Sequence, residues 1–292
     1  MSLLLAFEDE AGLAARLASA LGWTLALVDV HRFPDGETRL RLPLELPDHV
    51  ALLRGLQQPN DKLVQLLLAA AGARELGARH LTLVSPYLAY MRQDMAFNPG
   101  EVVSQRHLGR LLAASFDSIV TVDPHLHRVA NMDEVVPGKR GVALTAAALL
   151  GQHVARLVPG ALLLAPDEEA GQWVRVAAAA AGLDHATCHK QRHGDREVAV
   201  ALPKHPVTSR AVVIMDDVAS TGRTLCAATR GALAQGAASV DVAVTHALFV
   251  GDAWEQVQAA GVRQVWSSDC VPHVSNAVSV VPMLAAALRG VS

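Results

Sequence analysis

Short apolar runs recur along the chain, separated by longer stretches in which apolar positions fall three and four apart. That alternation predicts repeated strand and helix units built on parallel sheets, in βα order throughout. A strand is expected over residues 3–7 and a helix over 11–21, with further strands over 25–28 and 50–53. Asn60-Asp61 supplies side chains that accept from the orphan amides of a first helical turn, so a helix is expected from there to about residue 76.

Four later runs end alike, passing directly from apolar residues into polar or proline-containing ones. Residues 81–84 enter Ser85-Pro86-Tyr87, 119–122 enter Asp123-Pro124-His125, 162–164 enter Ala165-Pro166-Asp167, and 212–215 enter Asp216-Asp217. Open parallel sheets bind ligands beyond the carboxyl ends of their strands, so these four ends are the functional candidates. Pro137-Gly138-Lys139-Arg140-Gly141 separates two stretches of similar layout and places a domain boundary, giving residues 1–139 and 140–279.

Composition narrows the class. A chain of 292 residues can bury two cores, and 51% hydrophobic with 18% charged residues is the make-up of a globular protein. The net charge of −3 argues against a nucleic-acid partner, which needs a basic surface to displace counterions. Cys188, Cys226 and Cys270 are too scattered for a disulfide framework or a CxxC metal site. The apolar start is too short to span a bilayer, lacks a basic leader and runs into Glu8, Asp9 and Glu10, so no membrane partner and a cytoplasmic location are expected.

The strongest chemical signal is Asp216-Asp217-Val218-Ala219-Ser220-Thr221-Gly222-Arg223-Thr224, between the strand expected over 211–215 and a helix expected over 225–234. Small and hydroxylated residues let a phosphate approach the backbone, and a helix start adds amides and positive dipole, so an anion is expected against 221–225. Two adjacent carboxylates would repel that anion unless a cation or sugar hydroxyls intervene; a phosphorylated ribose with Mg2+ satisfies both. The bland alternative is a helix cap followed by an ordinary turn. No Gly-Lys-Ser/Thr follows the glycine, so this is not a Walker A loop. The loop looks like the phosphoribosyl pyrophosphate-binding motif of the phosphoribosyltransferase-type fold, and taken alone leaves a transferase and a synthetase of that donor both open.

Arg32-Phe33-Pro34-Asp35-Gly36-Glu37-Thr38, Pro86-Tyr87-Leu88-Ala89-Tyr90-Met91-Arg92-Gln93-Asp94 and Thr121-Val122-Asp123-Pro124-His125 choose between them. Together with the loop they resemble the ribose-phosphate diphosphokinases, also called phosphoribosyl pyrophosphate synthetases. Phe97-Asn98-Pro99-Gly100-Glu101 and Ser220-Thr221-Gly222 look closest to the short archaeal-type branch. The resemblance implies an α/β fold of two phosphoribosyltransferase-type domains, each a mainly parallel sheet flanked by helices, with residues 280–292 returning as a helix to the first. It implies transfer of the β,γ-diphosphate of ATP to the 1-hydroxyl of ribose 5-phosphate, with Mg2+.

By the same resemblance, Arg92, Gln93 and Asp94 would hold ATP, while Phe33, Asp35 and Glu37 would face its adenine from a neighbouring subunit, making self-association obligatory. His125 and Asp167 match the family's metal-binding pair. Lys190 and Arg192 match the basic pair of its catalytic loop, and Asp216, Asp217, Ser220, Thr221, Gly222, Arg223 and Thr224 its ribose 5-phosphate site. Each has a plainer reading: core packing for Phe33, a hairpin turn for Asp35-Gly36, a surface salt bridge for Arg92, a solvated turn for residues 190–192. Met95-Ala96 stands where basic residues are usual, Glu168 and Glu169 replace a small turn, and Arg223 replaces a small residue. These departures keep a weakly active regulatory paralogue beside the transferase as alternatives.

Overall fold

The computed structural model describes residues 2–126, 128–129, 131–193, 197–201 and 207–291, with backbone alone for 189–193 and 197–201. The chain divides into two compact units, Met1–Leu144 with Val280–Ser292, and Thr145–Ser279. The division falls just past the polar break at 137–141, which is the turn into a strand of the first sheet, Arg140–Leu144.

The first unit begins with β1 (Ser2–Ala6), a short turn of 3₁₀ helix, α1 (Ala11–Leu21) and β2 (Thr24–Leu27). A hairpin of β3 (Asp29–Arg32) and β4 (Thr38–Arg41) follows, then β5 (His49–Leu53), α2 (Pro59–Glu75), β6 (His80–Ser85), α3 (Ser104–Ser115), β7 (Ser118–Val122), α4 (Met132–Val135) and β8 (Arg140–Leu144). The sheet order is β2-β1-β5-β6-β7-β8, every pairing parallel. Its inner strands are buried on both faces, which is why they read as largely apolar runs, with the threonines Thr82 and Thr121 buried among them.

The second unit repeats that plan. α5 (Ala147–Leu157), β9 (Leu162–Ala165), α6 (Gly171–Ala181) and β10 (Asp184–Thr187) lead into a hairpin of β11 (His189–His193) and β12 (Glu197–Ala201). Then come β13 (Ala211–Ala219), α7 (Arg223–Ala234), β14 (Ser239–Ala247), α8 (Ala253–Ala259), β15 (Val265–Ser268) and β16 (Asn276–Val278). The parallel order β10-β9-β13-β14-β15-β16 matches the first sheet strand for strand, and in both units the hairpin is inserted after the second strand. The chain closes with α9 (Val281–Val291), which packs on α1 and whose Arg289 donates to the Ala20 carbonyl at 2.6 Å.

Three local expectations need correction. The order is not βα throughout, because both hairpins are antiparallel pairs outside the main sheets. Asn60-Asp61 does not cap α2: Pro59 occupies the first helical turn, where a missing N–H costs nothing, and Gln58 is the N-cap at φ 55 with no side-chain cap bond. β13 does not stop at Met215 but runs on to Ala219, because β14 offers partners as far as Ala247.

Candidate functional site

In the second sheet the strand order reverses between β9 and β13, and parallel sheets hold ligands in the crevice beyond such a point. Three carboxylates gather there: Asp167 just past β9, and Asp216 and Asp217 within β13. Asp217 is 3% exposed, while Asp216 keeps an edge on solvent. The Asp217 amide donates to Oδ1 of Asp216 at 2.9 Å, and Oδ1 of Asp167 accepts the Ala170 amide at 3.1 Å, closing the turn before α6. Burial first, then the charge and side-chain hydrogen bond of Asp217 and the charge of Asp167, push the Asp216 carboxyl well above the ordinary carboxylate range. Burial, aided by the Asp167 charge, lifts the Cys188 thiol to about 12, which leaves it without thiolate character.

Past the acids the chain turns through Ser220, Thr221 and Gly222 into α7. Gly222 is the N-cap at φ 70, and a Cβ there would lie 2.9 Å from Cγ2 of Val257 and 3.3 Å from the Ala253 carbonyl oxygen, so both backbone and space require glycine. The Cys226 amide closes the first turn on the Gly222 carbonyl at 2.8 Å. The amides of Arg223, Thr224 and Leu225, one turn earlier, have no acceptor within the helix and carry its positive dipole. The Ala219 carbonyl accepts from Leu248 and Phe249 at 3.0 and 2.9 Å, and the Ser220 carbonyl accepts from Val250 at 3.0 Å, which fixes the loop's entry. Thr221 and Arg223 are exposed and Ser220 and Thr224 half-buried, so hydroxyls and amides border an acid pair. α7 begins at Arg223, two residues before the expected start.

The backbone places Lys190 opposite Val200 and Arg192 opposite Val198 in the β11–β12 pair. Their side chains lie outside the described part of the structure, as does His127.

In the first unit, residues 33–37 form the tip of the β3–β4 hairpin. The Phe33 amide donates to the Glu37 carbonyl at 2.8 Å, the Glu37 amide to Oδ1 of Asp35 at 3.1 Å, and Gly36 takes φ 97. Asp35-Gly36 is thus a hairpin turn, but Phe33 is no core residue: it is 39% exposed, with its ring edge-on to His31 at 4.7 Å.

Arg92 is exposed and Gln93 half-buried on the segment after β6. Glu101 stitches this segment together, accepting from Asn98 Nδ2 at 2.6 Å, the Phe97 amide at 2.8 Å and Gln93 Nε2 at 3.3 Å; those bonds hold its carboxyl below the usual range. Asp94, expected to contact ATP, has its side chain 2% exposed and accepts from Arg128 Nη1 at 2.7 Å. His125 is half-buried at φ 55, two residues after buried Asp123 at φ 38.

One cluster escaped the sequence reading. In the first sheet the order reverses between β1 and β5, and there Arg54, 4% exposed, pairs with Asp9 and donates to Gln65 Oε1 at 2.7 Å. Lys62 Nζ lies 3.0 Å from Asp9 and 3.8 Å from Glu10, whose Oε1 accepts the Gly55 amide at 2.5 Å. Burial outweighs Arg54 and Lys62 and pushes Glu10 up to about 7. The available signal was a charge at a strand's carboxyl end, as at the other four ends. It was lost because Arg54 stands as a lone charge whose partner Asp9 lies 45 residues earlier.

Among the described residues, no helix is long and apolar enough to cross a membrane, and no three His, Cys, Asp or Glu side chains form a group able to hold a metal. The repeated parallel plan, with acids, hydroxyls and a glycine-capped helix at one switch point, defines a protein of two phosphoribosyltransferase-type units.

The family model for the N-terminal domain of ribose phosphate pyrophosphokinase matches residues 2–115. The ribose-phosphate pyrophosphokinase of Methanopyrus kandleri is 35% identical over 293 residues, covering 99% of each chain, and that of Methanosarcina mazei is 35% identical over 282 residues, covering 95% of this chain and 92% of the relative. The crystal structure of phosphoribosylpyrophosphate synthetase from Mycobacterium smegmatis shares the fold, with a TM-score of 0.85 over 99% of this chain and 98% of that one at 23% identity. The chain belongs to the ribose-phosphate pyrophosphokinase family, as its motifs in both units imply.

Proposed function

We propose that the chain transfers the β,γ-diphosphate of ATP to the 1-hydroxyl of ribose 5-phosphate, giving phosphoribosyl pyrophosphate and AMP. The observation that carries this reading is the β9–β13 switch point, where the carboxylates of Asp216 and Asp217 lie beside the glycine-capped start of α7. The 5-phosphate is held by the amides of residues 223–225 and the hydroxyls of Ser220, Thr221 and Thr224, with Arg223 adding a countercharge. Asp216 and Asp217 accept from the sugar hydroxyls, which orients the 1-hydroxyl for attack on the β-phosphorus. The new O–P bond forms as the bond to the α,β-bridging oxygen breaks; that oxygen departs with AMP, and the hydroxyl proton is lost to the medium.

The site suits Mg2+: Asp167 is a hard oxygen donor beside the acid pair, and burial together with the charges of Asp217 and Asp167 disfavours ionisation of Asp216, a penalty that a nearby divalent cation relieves. Bound there mainly through substrate oxygens and water, Mg2+ would neutralise phosphoryl charge and polarise the attacked phosphorus. His125 and Asp167 are each proposed as a protein ligand for Mg2+. Lys190 and Arg192 stabilise charge on the equatorial oxygens of the transferred group, a contribution on the order of 10³ in rate for such clamps. Arg92 and Gln93 hold ATP, and Phe33, Asp35 and Glu37 of a second copy face its adenine, the ring stacking and the carboxylates accepting from the exocyclic amine.

Incubation with ATP, Mg2+ and ribose 5-phosphate is expected to yield AMP and phosphoribosyl pyrophosphate in equal amounts. Absence of AMP above background overturns the reading. Release of pyrophosphate from phosphoribosyl pyrophosphate and a nucleobase, without ATP, would make it a transferase instead.

A further inference from the structure

Arg128 belongs to no expected motif, yet it joins the segment of the first unit that carries the proposed ATP contacts to the segment that carries His125, a proposed metal ligand. Its Nη1 lies 2.7 and 2.9 Å from the two oxygens of Asp94, and its guanidinium lies 6.0 Å from the centre of the Phe97 ring. We infer that Arg128 is a positioning residue for the nucleotide: it anchors the segment bearing Arg92 and Gln93 to the segment bearing His125, through Asp94. The inference rests on the proposed ATP-binding role of the 92–94 segment.

The reasoning starts from Asp94. Its side chain is 2% exposed, and a carboxylate taken out of water must be paired or neutralised. Arg128 supplies the pairing while its own side chain stays 47% exposed, so the pair is buried at one end only and the arginine pays little desolvation. Gln93, the preceding residue, is tied on both sides: its carbonyl accepts the Gln105 amide at 3.3 Å, and its side chain donates to Glu101 and to the Met95 carbonyl at 3.1 Å. Through Asp94 this self-stitched segment is hydrogen-bonded to the one after β7.

The partner segment needs an anchor of its own. Asp123 and His125 both take left-handed backbone angles, φ 38 and 55, which side-chain-bearing residues adopt at a cost. The near end is fixed by the Asp123 amide on the Leu144 carbonyl at 2.8 Å, and Arg128 fixes the far end. A group that contacts neither substrate can thereby set the spacing between Gln93 and His125. This also assigns Asp94 a place in the scaffold of the nucleotide site.

The test measures KM for each substrate, kcat, and binding of a non-hydrolysable ATP analogue by calorimetry, for wild type, Arg128→Met and Arg128→Lys. Arg128→Met is expected to raise KM for ATP and Kd for the analogue about tenfold while KM for ribose 5-phosphate stays within about twofold, and Arg128→Lys to recover most of the loss by keeping the charge. If the lone Asp94 carboxylate prevents Arg128→Met from folding, the double variant Asp94→Asn/Arg128→Met removes the buried charge and is read in the same way. Unchanged ATP parameters in an active protein, or equal losses for both substrates with no recovery by lysine, overturn the inference. Should wild type bind the analogue but make no AMP, the activity falls, while a weakened Kd in Arg128→Met still upholds the positioning role.

Discussion

The amide of Asp217 donates to the carboxylate of Asp216 at 2.9 Å, so the acid pair is oriented by its own backbone before any ligand arrives. The geometry carries an electrostatic penalty, since burial and two neighbouring acids oppose ionisation of Asp216. Asp216→Asn should therefore raise the melting temperature of the ligand-free protein at pH 7–8 by a few degrees, the scale set by about 1 kcal/mol in a domain of this size. The same change should lower kcat/KM for ribose 5-phosphate at least tenfold. Calorimetry beside the coupled assay checks both, and a variant that loses stability together with activity would place Asp216 among structural residues.

Gly222→Ala tests the loop's backbone. The added methyl meets Val257 and the Ala253 carbonyl at a φ that disfavours alanine, so a loss of about 1–2 kcal/mol and a raised KM for ribose 5-phosphate are expected. KM for ATP should move much less. Equal shifts in both would point to general unfolding of the second unit.

Lys190→Ala separates two jobs for the β11–β12 hairpin. A lysine acting on transition-state charge lowers kcat, on the order of 10² to 10³, with KM little changed. A fall in affinity at constant kcat would make it a ground-state binding residue.

Glu10 gives a pH signature of its own. Its folded value of about 7 stands above the 4.5 of a free glutamate, so its favourable contribution is complete below pH 4.5 and lost as pH rises through 7, roughly 3 kcal/mol in all. Wild type should lose several degrees of melting temperature between pH 5 and pH 8 relative to Glu10→Gln, which has no proton to lose there. Parallel curves for the two proteins would show that Arg54 and Lys62 hold Glu10 ionised throughout.

The parallel sheets were legible because strands buried on both faces leave unbroken apolar runs, as in 162–164 and 212–215. The hairpins were not, because β3 and β4 lie outside the sheets with polar, largely exposed residues that carry no such pattern. The strand–loop–helix that forms the proposed phosphate loop was legible locally, since acid pair, hydroxyls and glycine all fall within nine residues from the end of β13 to the start of α7. Asp94–Arg128 and Asp9–Arg54 could not, since each joins residues 34 or 45 positions apart whose pairing only the folded sheet creates.

The matching crevices of the two sheets are provisioned oppositely. At β1–β5 the chain answers its own acids with Arg54 and Lys62, whereas at β9–β13 the acids of strand and turn stand beside one another and make Asp216 hard to ionise. On the proposed function, a plan drawn twice in one polypeptide yields one cradle for a sugar phosphate rather than two. Titration with ribose 5-phosphate should saturate at a single equivalent per chain.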